Sequence, residues 1–333
     1  MITSSVNTIL ITGATGFIGS HLAMHFSKSD DKVKLLVRDP NKLGDKLKNN
    51  CEIVTGDLGD MKSLRKAVEN TTIIFHCAAN VKTWDSWDNY YKDNVIGVRN
   101  LLEAIESEKP QITRFVHLSS VDVYGFPDNP CDESCKIQEE RFGYGKSKIQ
   151  GEKLLKEYAE KNNLPYTILR PCNVIGPGSQ FISRIGKELK SGLMLTINNG
   201  QSNAGLLYID NLVQHMLWAA QSDKSIREVF NVRDNYDKNW SDFISQFRAG
   251  INGKGIVINL PFWLAETVAI IIERFNQIYL PKKEPLLHPL LVRFFSKTCG
   301  HNADKIHNEH RDYTDIGFKR AMDHSCRWFL DSE

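Results

Sequence analysis

The sequence has no run of roughly 18 uncharged apolar residues, the length a membrane-spanning helix needs. It has no surplus of one charge either: 42 Lys and Arg stand against 40 Asp and Glu, a net charge of +2. So small an excess lacks the basic footprint of a nucleic-acid-binding protein, and no nucleic-acid partner is expected. Cysteine is sparse and odd in number, seven in 333 residues, which excludes the dense disulfide scaffold of small secreted domains. Only Cys131 and Cys135 lie close together, and they read as free thiols. No basic stretch followed by an apolar run precedes the first strand-like segment, so no secretory leader is read there. A cytoplasmic, reducing setting is the expectation. Cys299, His301, His307 and His310 lack any tight CxxC or HExxH spacing, and no metal is expected from them.

What is present is an ordinary globular composition, 41% hydrophobic and 25% charged. Short apolar runs bounded by turn residues alternate with helical patterns. The runs fall near Thr8–Thr12, Val33–Val37, Ile53–Thr55, Ile73–His76, Phe115–Ser119, Tyr166–Arg170 and Val229–Val232. Helical spacing covers Phe17–Ser27, Met61–Glu69, Asn89–Ser107 and Ser147–Lys161. The strand runs do not alternate polar with apolar, as expected when both faces of a parallel strand are covered. This predicts an α/β fold with a doubly wound, Rossmann-type parallel sheet. From about Phe181 the alternation fades. Residues 1–180 are therefore read as a dinucleotide-binding domain and 181–333 as a smaller, mostly helical substrate lobe, with the strand near 228–232 returning to the sheet.

The segment Thr12-Gly13-Ala14-Thr15-Gly16-Phe17-Ile18-Gly19 follows a strand and opens a helix. Gly13 permits a tight turn, Gly16 lets backbone approach a pyrophosphate, and Gly19 allows helix and strand to pack closely. The helix start offers unpaired N–H groups to that diphosphate, so Thr15, Phe17 and Ile18 fall in the same cradle. Arg38, just outside the second strand, favours NADP(H) over NAD(H), because a cation there accommodates the extra phosphate. Asp39 beside it is the residue that would instead take the ribose of NAD. Asp57 and Leu58, after the third strand, are placed to meet the adenine.

Tyr144 and Lys148 are four residues apart, on one face of a helix. A free phenol, with pKa about 10, is a poor base at neutral pH, and a fixed ammonium nearby is expected to lower that value. The pair can then exchange a proton with a substrate oxygen while hydride moves at the adjacent carbon. Ser120 ends a strand run before a glycine turn, where its hydroxyl can bond the reacting oxygen. Asn94, inside a long helix, is read either as a plain interior polar residue or as the holder of a proton-relaying water.

Taken in order, TGATGFIG (12–19), GDL (56–58), HCAA (76–79), NVIG (94–97), LSSVDVYG (118–125), YGKSK (144–148), LRPCNVIGPG (169–178) and LYIDNLV (207–213) carry a resemblance. The chain resembles the extended short-chain dehydrogenase/reductase superfamily over nearly its whole length. That resemblance implies an active enzyme with Ser120, Tyr144 and Lys148 as catalytic residues and Asn94 as their helper. It also implies that Ala78, Ala79, Pro171, Asn173 and Val174 line the cofactor, and that two copies pair through the helices carrying Asn94 and Tyr144.

Nucleotide-sugar members carry an arginine for the diphosphate where this chain has Ala204, so a sugar nucleotide is disfavoured here. Leu264, Val268, Ile271, Ile272, Phe275 and Ile278 form an apolar helical stripe opposite Glu266, Glu273 and Gln277. The segment resembles the 3β-hydroxysteroid and sterol-4-carboxylate dehydrogenase branch, with dihydroflavonol-reductase-like members close by. The leading expectation is thus reversible oxidation of a secondary alcohol on a bulky, largely apolar, sterol-like substrate. Trp84, Trp87, Ser120 and Tyr208 are expected to wall its pocket. The alternatives are a nucleotide-sugar epimerase or dehydratase, and a dinucleotide sensor without catalysis. Contact with a membrane is expected to be peripheral at most.

Overall fold

A computed structural model describes residues 6–138, 141–280, 283–285 and 287–333. Its first half alternates as the sequence pattern requires. Strands β1 (Thr8–Thr12), β2 (Lys32–Val37), β3 (Glu52–Thr55) and β4 (Ile73–His76) are joined through helices α1 (Phe17–Phe26), α2 (Asp45–Asn50) and α3 (Met61–Val68). Helices α4 (Trp87–Tyr90) and α5 (Gly97–Glu108), joined by a wider π-helical stretch at Tyr91–Ile96, lead to β5 (Arg114–Leu118). Helix α6 (Gly143–Asn162) then leads to β6 (Tyr166–Pro171).

After β6 come β7 (Asn173–Ile175), α7 (Gln180–Ser191), β8 (Leu193–Ile197), β9 (Leu206–Tyr208), α8 (Ile209–Gln221) and β10 (Glu228–Val232). The chain finishes with α9 (Trp240–Gly250), β11 (Ile256–Leu260), α10 (Phe262–Tyr279), α11 (Pro289–Ser296), α12 (Asp304–Glu309) and α13 (Phe318–Asp331).

Seven strands form one sheet in the order β10-β6-β5-β4-β1-β2-β3, and every pairing in it is parallel. The order reverses between β1 and β4, so the crevice outside their carboxyl ends is the place for a ligand. Every residue of β4, β5 and β6 is buried, which accounts for their unbroken apolar runs. The strand at 228–232 is the sheet's edge, beside β6.

Beyond the sheet, β7 pairs with β9 and β8 pairs with β11 in two small parallel ribbons. Their packing gives the carboxyl-terminal region its own core, in which Trp240, Phe243, Phe247 and Phe329 are buried. Gly186 on α7 is part of that fit: a Cβ there would stand 2.3 Å from the Phe329 ring.

The apolar stripe of α10 is divided by the structure. Val268 and Ile272 turn inward with Ala265 and Ala269 and pack on Ile197, Leu287 and Val292. Ile271, Phe275 and Ile278 instead face outward and are exposed. Their spacing is helical in either case, so periodicity alone does not separate a covered apolar face from a bare one.

Candidate active site

The glycine turn is shaped by contact rather than by flexibility alone. Gly13 has φ +75°, and a Cβ on it would lie 2.7 Å from the backbone nitrogen of Ala78. A Cβ on Gly19 would lie 2.3 Å from the carbonyl oxygen of Gly13. These two glycines therefore draw the β1 turn, the start of α1 and the end of β4 into one cradle. Thr12 Oγ1 fastens it by accepting the Ala78 N–H at 3.2 Å and bonding His76 Nδ1 at 2.9 Å.

Helix α1 has no side-chain cap and no acid in its first turn, so the first-turn amides of Phe17, Ile18 and Gly19 face the crevice unpaired. Thr15 and Gly16 are exposed beside them. A strand, a cradle that a methyl group would fill, and an uncapped helix start together fit a dinucleotide diphosphate.

The other residues expected to meet the cofactor have these local contacts. Asp57 is exposed and its side chain accepts the Gly59 N–H at 2.7 Å. Leu58 packs under Gly97, where a Cβ would meet its Cδ1 at 2.7 Å. Pro171 ends β6, and Val174 pairs with Leu207 across the β7–β9 ribbon. Asn173 donates from Nδ2 to the Ala204 carbonyl at 2.6 Å. Arg38 is exposed, whereas Asp39 is less so and caps the following turn by accepting the Asn41 N–H at 3.0 Å.

Ser120, Tyr144 and Lys148 converge at the carboxyl end of β5. Ser120 Oγ accepts the Asp122 N–H at 3.2 Å and donates to Asp122 Oδ2 at 2.5 Å. Ser120 lies close enough to the Tyr144 phenol to favour its charged form. Lys148 is buried, its Nζ donates to the Leu118 carbonyl at 2.7 Å, and it lies 6.0 Å from the centre of the Tyr144 ring.

The electrostatics differ from the sequence expectation. Burial, and after it the Asp122 carboxylate, pushes the Tyr144 phenol above its ordinary value. Lys148 is instead pulled down to about 8 by burial, against the Glu152, Cys77 and Asp122 charges that raise it. The reason is desolvation: both groups sit where their charged forms lose water, and the ammonium spends a hydrogen bond on Leu118.

Asn94 lies on the π-helical stretch, where an extra residue in the turn re-aims side chains. Its Oδ1 accepts the Asn80 N–H at 2.6 Å, and its Nδ2 donates to Asn80 O and Ser147 Oγ, each at 2.9 Å. The amide is thus taken up in tying the loop after β4 to α6, and its geometry is that of a positioning residue rather than a water holder.

The expected pocket walls separate. Trp84 packs on His288 with ring centres 5.5 Å apart, and Trp87 is covered by the Lys146 ammonium at 4.7 Å. Tyr208 is fully buried in the carboxyl-terminal core and its hydroxyl bonds His324 Nδ1 at 2.8 Å, so it walls no substrate space. None of these three borders the cavity beside Ser120, which is lined by Asp122, Asn173, Gly205, Lys297, Cys299 and Gly300 among others. Cavity position is decided by where loops from distant segments close, which spacing along one helix or strand does not convey.

Sequence reasoning missed several residues here. Glu152 and Arg170, buried behind Ser119, could have been found from Glu152 lying four residues beyond Lys148 on the same helix face. Arg233 could not. Its guanidinium reaches the cavity wall, where a Cβ on Gly300 would stand 3.0 Å from Nη1. Its Nε is buried without a hydrogen-bond partner, and it forms no ion pair with a described residue.

Residues 9–232 match the family described as the NAD dependent epimerase/dehydratase family. The chain belongs to that family. It is accordingly an enzyme of the extended short-chain dehydrogenase/reductase type, working with a nicotinamide dinucleotide.

Among its relatives, N-acetyl-alpha-D-glucosaminyl-diphospho-ditrans,octacis-undecaprenol 4-epimerase of Escherichia coli is 25% identical over 307 residues, 91% of this chain and 89% of that protein. Sterol-4-alpha-carboxylate 3-dehydrogenase, decarboxylating, of Candida albicans is 27% identical over 330 residues, 90% of this chain and 91% of that one. The fold matches the crystal structure of UDP-glucuronic acid 4-epimerase from Bacillus cereus in complex with UDP-glucuronic acid and NAD. The TM-score is 0.75 at 21% identity, covering 98% of this chain and 100% of that one.

Two expectations are not supported by these findings. The match to the NAD dependent epimerase/dehydratase family, with both sugar-diphosphate and sterol enzymes among the relatives, gives no support to an apolar, sterol-like substrate over a sugar one. A preference for NADP is not supported either, because the family that matches is described as NAD dependent.

Proposed function

We propose that this enzyme is an epimerase or dehydratase of a sugar carried on a diphosphate, working with NAD. The reading rests on the family match over residues 9–232, and two cations near the small cavity beside Asp122 are consistent with it. Lys297 lines that cavity directly, and Arg233 stands behind Gly300 with no carboxylate partner among the described residues. Ala204 left a diphosphate without a counter-charge in the sequence; in three dimensions Arg233 and Lys297 supply two, near Asn173 and Gly205. A diphosphate near Gly300 would gain charge-assisted hydrogen bonds from Arg233, whose buried Nε has no partner among the described residues.

On this reading the residues have the following roles. The Gly13–Gly19 cradle would hold NAD, which would supply the hydride acceptor. Tyr144 acts in its phenolate form, taking the proton of the reacting sugar hydroxyl and becoming neutral phenol; Ser120 holds that oxygen, and the Lys148 ammonium favours the phenolate beforehand. Asn94 acts through Ser147 and Asn80 by fixing α6 against the loop after β4. NAD is favoured over NADP by Asp39, whose place at the tip of β2 suits the ribose hydroxyls, while Arg38 points into solvent.

The test is turnover and KM with NAD on UDP-sugars, on polyprenyl-diphosphate sugars and on 3β-hydroxysteroids. Turnover of a sugar diphosphate, with KM raised at least tenfold by Arg233→Ala and NAD affinity unchanged, is the expected result. Oxidation of the steroid alone would overturn the reading.

A further inference from the structure

Projected at about 100° per residue, α10 has three sectors. Ala265, Ala269 and Asn276 mark the buried one. Glu266, Glu273 and Gln277 mark a polar one. The third holds Leu264, Ile271, Phe275, Ile278 and Tyr279, of which the last four are more than half exposed. Trp263, at the start of the helix, is likewise more than half exposed. On the neighbouring ribbon, strand alternation carries Ile256 and Ile258 out on the face whose other residue, Leu260, packs toward α10; both are exposed, as is Leu193 across from Ile256. A contiguous bare apolar helix face of this kind marks an interaction surface.

We propose that α10 lies flat on a lipid bilayer, with this third sector at the boundary between headgroups and acyl chains. Four observations favour a bilayer as the occupant. An 18-residue helix is about 27 Å long, yet its polar sector bars it from spanning, and no described helix is long and apolar enough to cross a membrane. Trp263 and Tyr279 stand at its two ends, and such rings, apolar in body and polar at one edge, favour the interface level.

Charge is complementary to anionic headgroups as well. Arg274 borders the apolar sector and Lys283 follows the helix, and neither forms an ion pair with a described residue. The helix's own acids are engaged elsewhere: Glu266 receives Arg293 at 2.5 Å, and Glu273 lies in the field of Arg141. The net charge offered along this edge is positive.

The docked helix would also sit beside the catalytic cleft. Asn276 bonds the Lys283 carbonyl, Thr83 donates to Glu284 at 2.8 Å, and Trp84 packs on His288. The segment after α10 is thereby fastened to the loop after β4, which borders the cofactor cradle. The proposal does not depend on the identity of the substrate.

The experiment is co-sedimentation of the full chain with phosphatidylcholine vesicles, with and without one quarter phosphatidylglycerol, at low and high salt. The expected result is binding to the anionic vesicles that weakens in salt. Ile271→Glu with Ile278→Glu should reduce it at least tenfold, while the unfolding midpoint and NADH affinity stay unchanged because both side chains are already in water. Arg274→Ala with Lys283→Ala should reduce binding to anionic vesicles only. No vesicle binding by the unmodified protein, or binding indifferent to the glutamates, overturns the proposal. So does a dimer that the glutamates convert to a monomer without any vesicle binding, since the face would then belong to a second copy.

Discussion

Glu152 and Arg170 meet as a two-pronged ion pair, Nε to Oε1 at 2.8 Å and Nη2 to Oε2 at 2.6 Å, with each side chain about 2% exposed. The pair joins α6 to β6 directly behind Ser119, the neighbour of Ser120. Ser119 donates to Glu152 at 2.6 Å, and Arg170 reaches the Tyr124 hydroxyl at 2.7 Å, which in turn donates to Asn231 at 2.9 Å. Helix α6, strands β6 and β10 and the segment that follows β5 thus share a single polar network near the β10 edge of the sheet.

Removing one partner of such a pair strands a buried charge. Glu152→Gln or Arg170→Met is expected to destabilise the fold by about 3–5 kcal/mol, read from urea unfolding. The double change Glu152→Leu with Arg170→Met should recover a large part of that loss. If the single variants unfold at the normal midpoint, the network is not structural.

Acid should act on the same pair. Burial works to raise the Glu152 carboxyl, but the hydrogen bonds and charge of Arg170, with Ser119, hold it below its ordinary value. A depressed carboxyl contributes stability above its unfolded pKa, and that stability is lost as pH falls through the folded value. As pH falls below the ordinary glutamate value and through the lower folded one, the unmodified protein should therefore lose more stability than Glu152→Gln does, by thermal melts across acid pH. Parallel curves for the two proteins would remove Glu152 from the acid response.

Catalysis should respond to two other groups. Asp122 helps to hold the Tyr144 phenol up. Asp122→Asn should therefore raise kcat/KM at neutral pH, since a tyrosine with a lower pKa is phenolate for a larger share of the time. Lys148, drawn down to about 8, still carries its ammonium at neutral pH, and Lys148→Met should remove most activity with it. A kcat/KM unmoved by the Asp122 substitution would disconnect that carboxylate from the tyrosine.

The glycine cradle leaves no room for a methyl group. Gly19→Ala would force the new Cβ against the Gly13 carbonyl, 2.3 Å away. Weaker NADH binding by at least tenfold is expected in fluorescence titration, together with a lower unfolding midpoint. Unchanged affinity would mean that α1 shifts without disturbing the turn.

Tyr144→Phe should lower turnover by at least a hundredfold while NADH affinity stays nearly the same. Turnover near the unmodified rate would take the phenol out of the chemistry.

Much of this protein is legible from its sequence because the determinants are local. The glycine spacing at 13, 16 and 19, the apolar strand runs, and the four-residue step from Tyr144 to Lys148 each act within one turn or one element. Backbone sterics and helical or strand period are enough to read them. Even the stripe on α10 is visible in this way, though which part of it would be covered is not.

The substrate side was decided by tertiary structure alone. Ala204 and Arg233 are 29 positions apart in the chain, and Lys297 is 64 beyond Arg233, yet the turn at Gly300 brings Arg233 up behind the cavity that Lys297 lines. Charge acts through space and is indifferent to sequence separation, so a missing arginine at one position said little about the site's total charge. Burial worked in the same direction: it set the proton affinities of Tyr144 and Lys148 by removing water, a property that belongs to the packed fold and to no single residue.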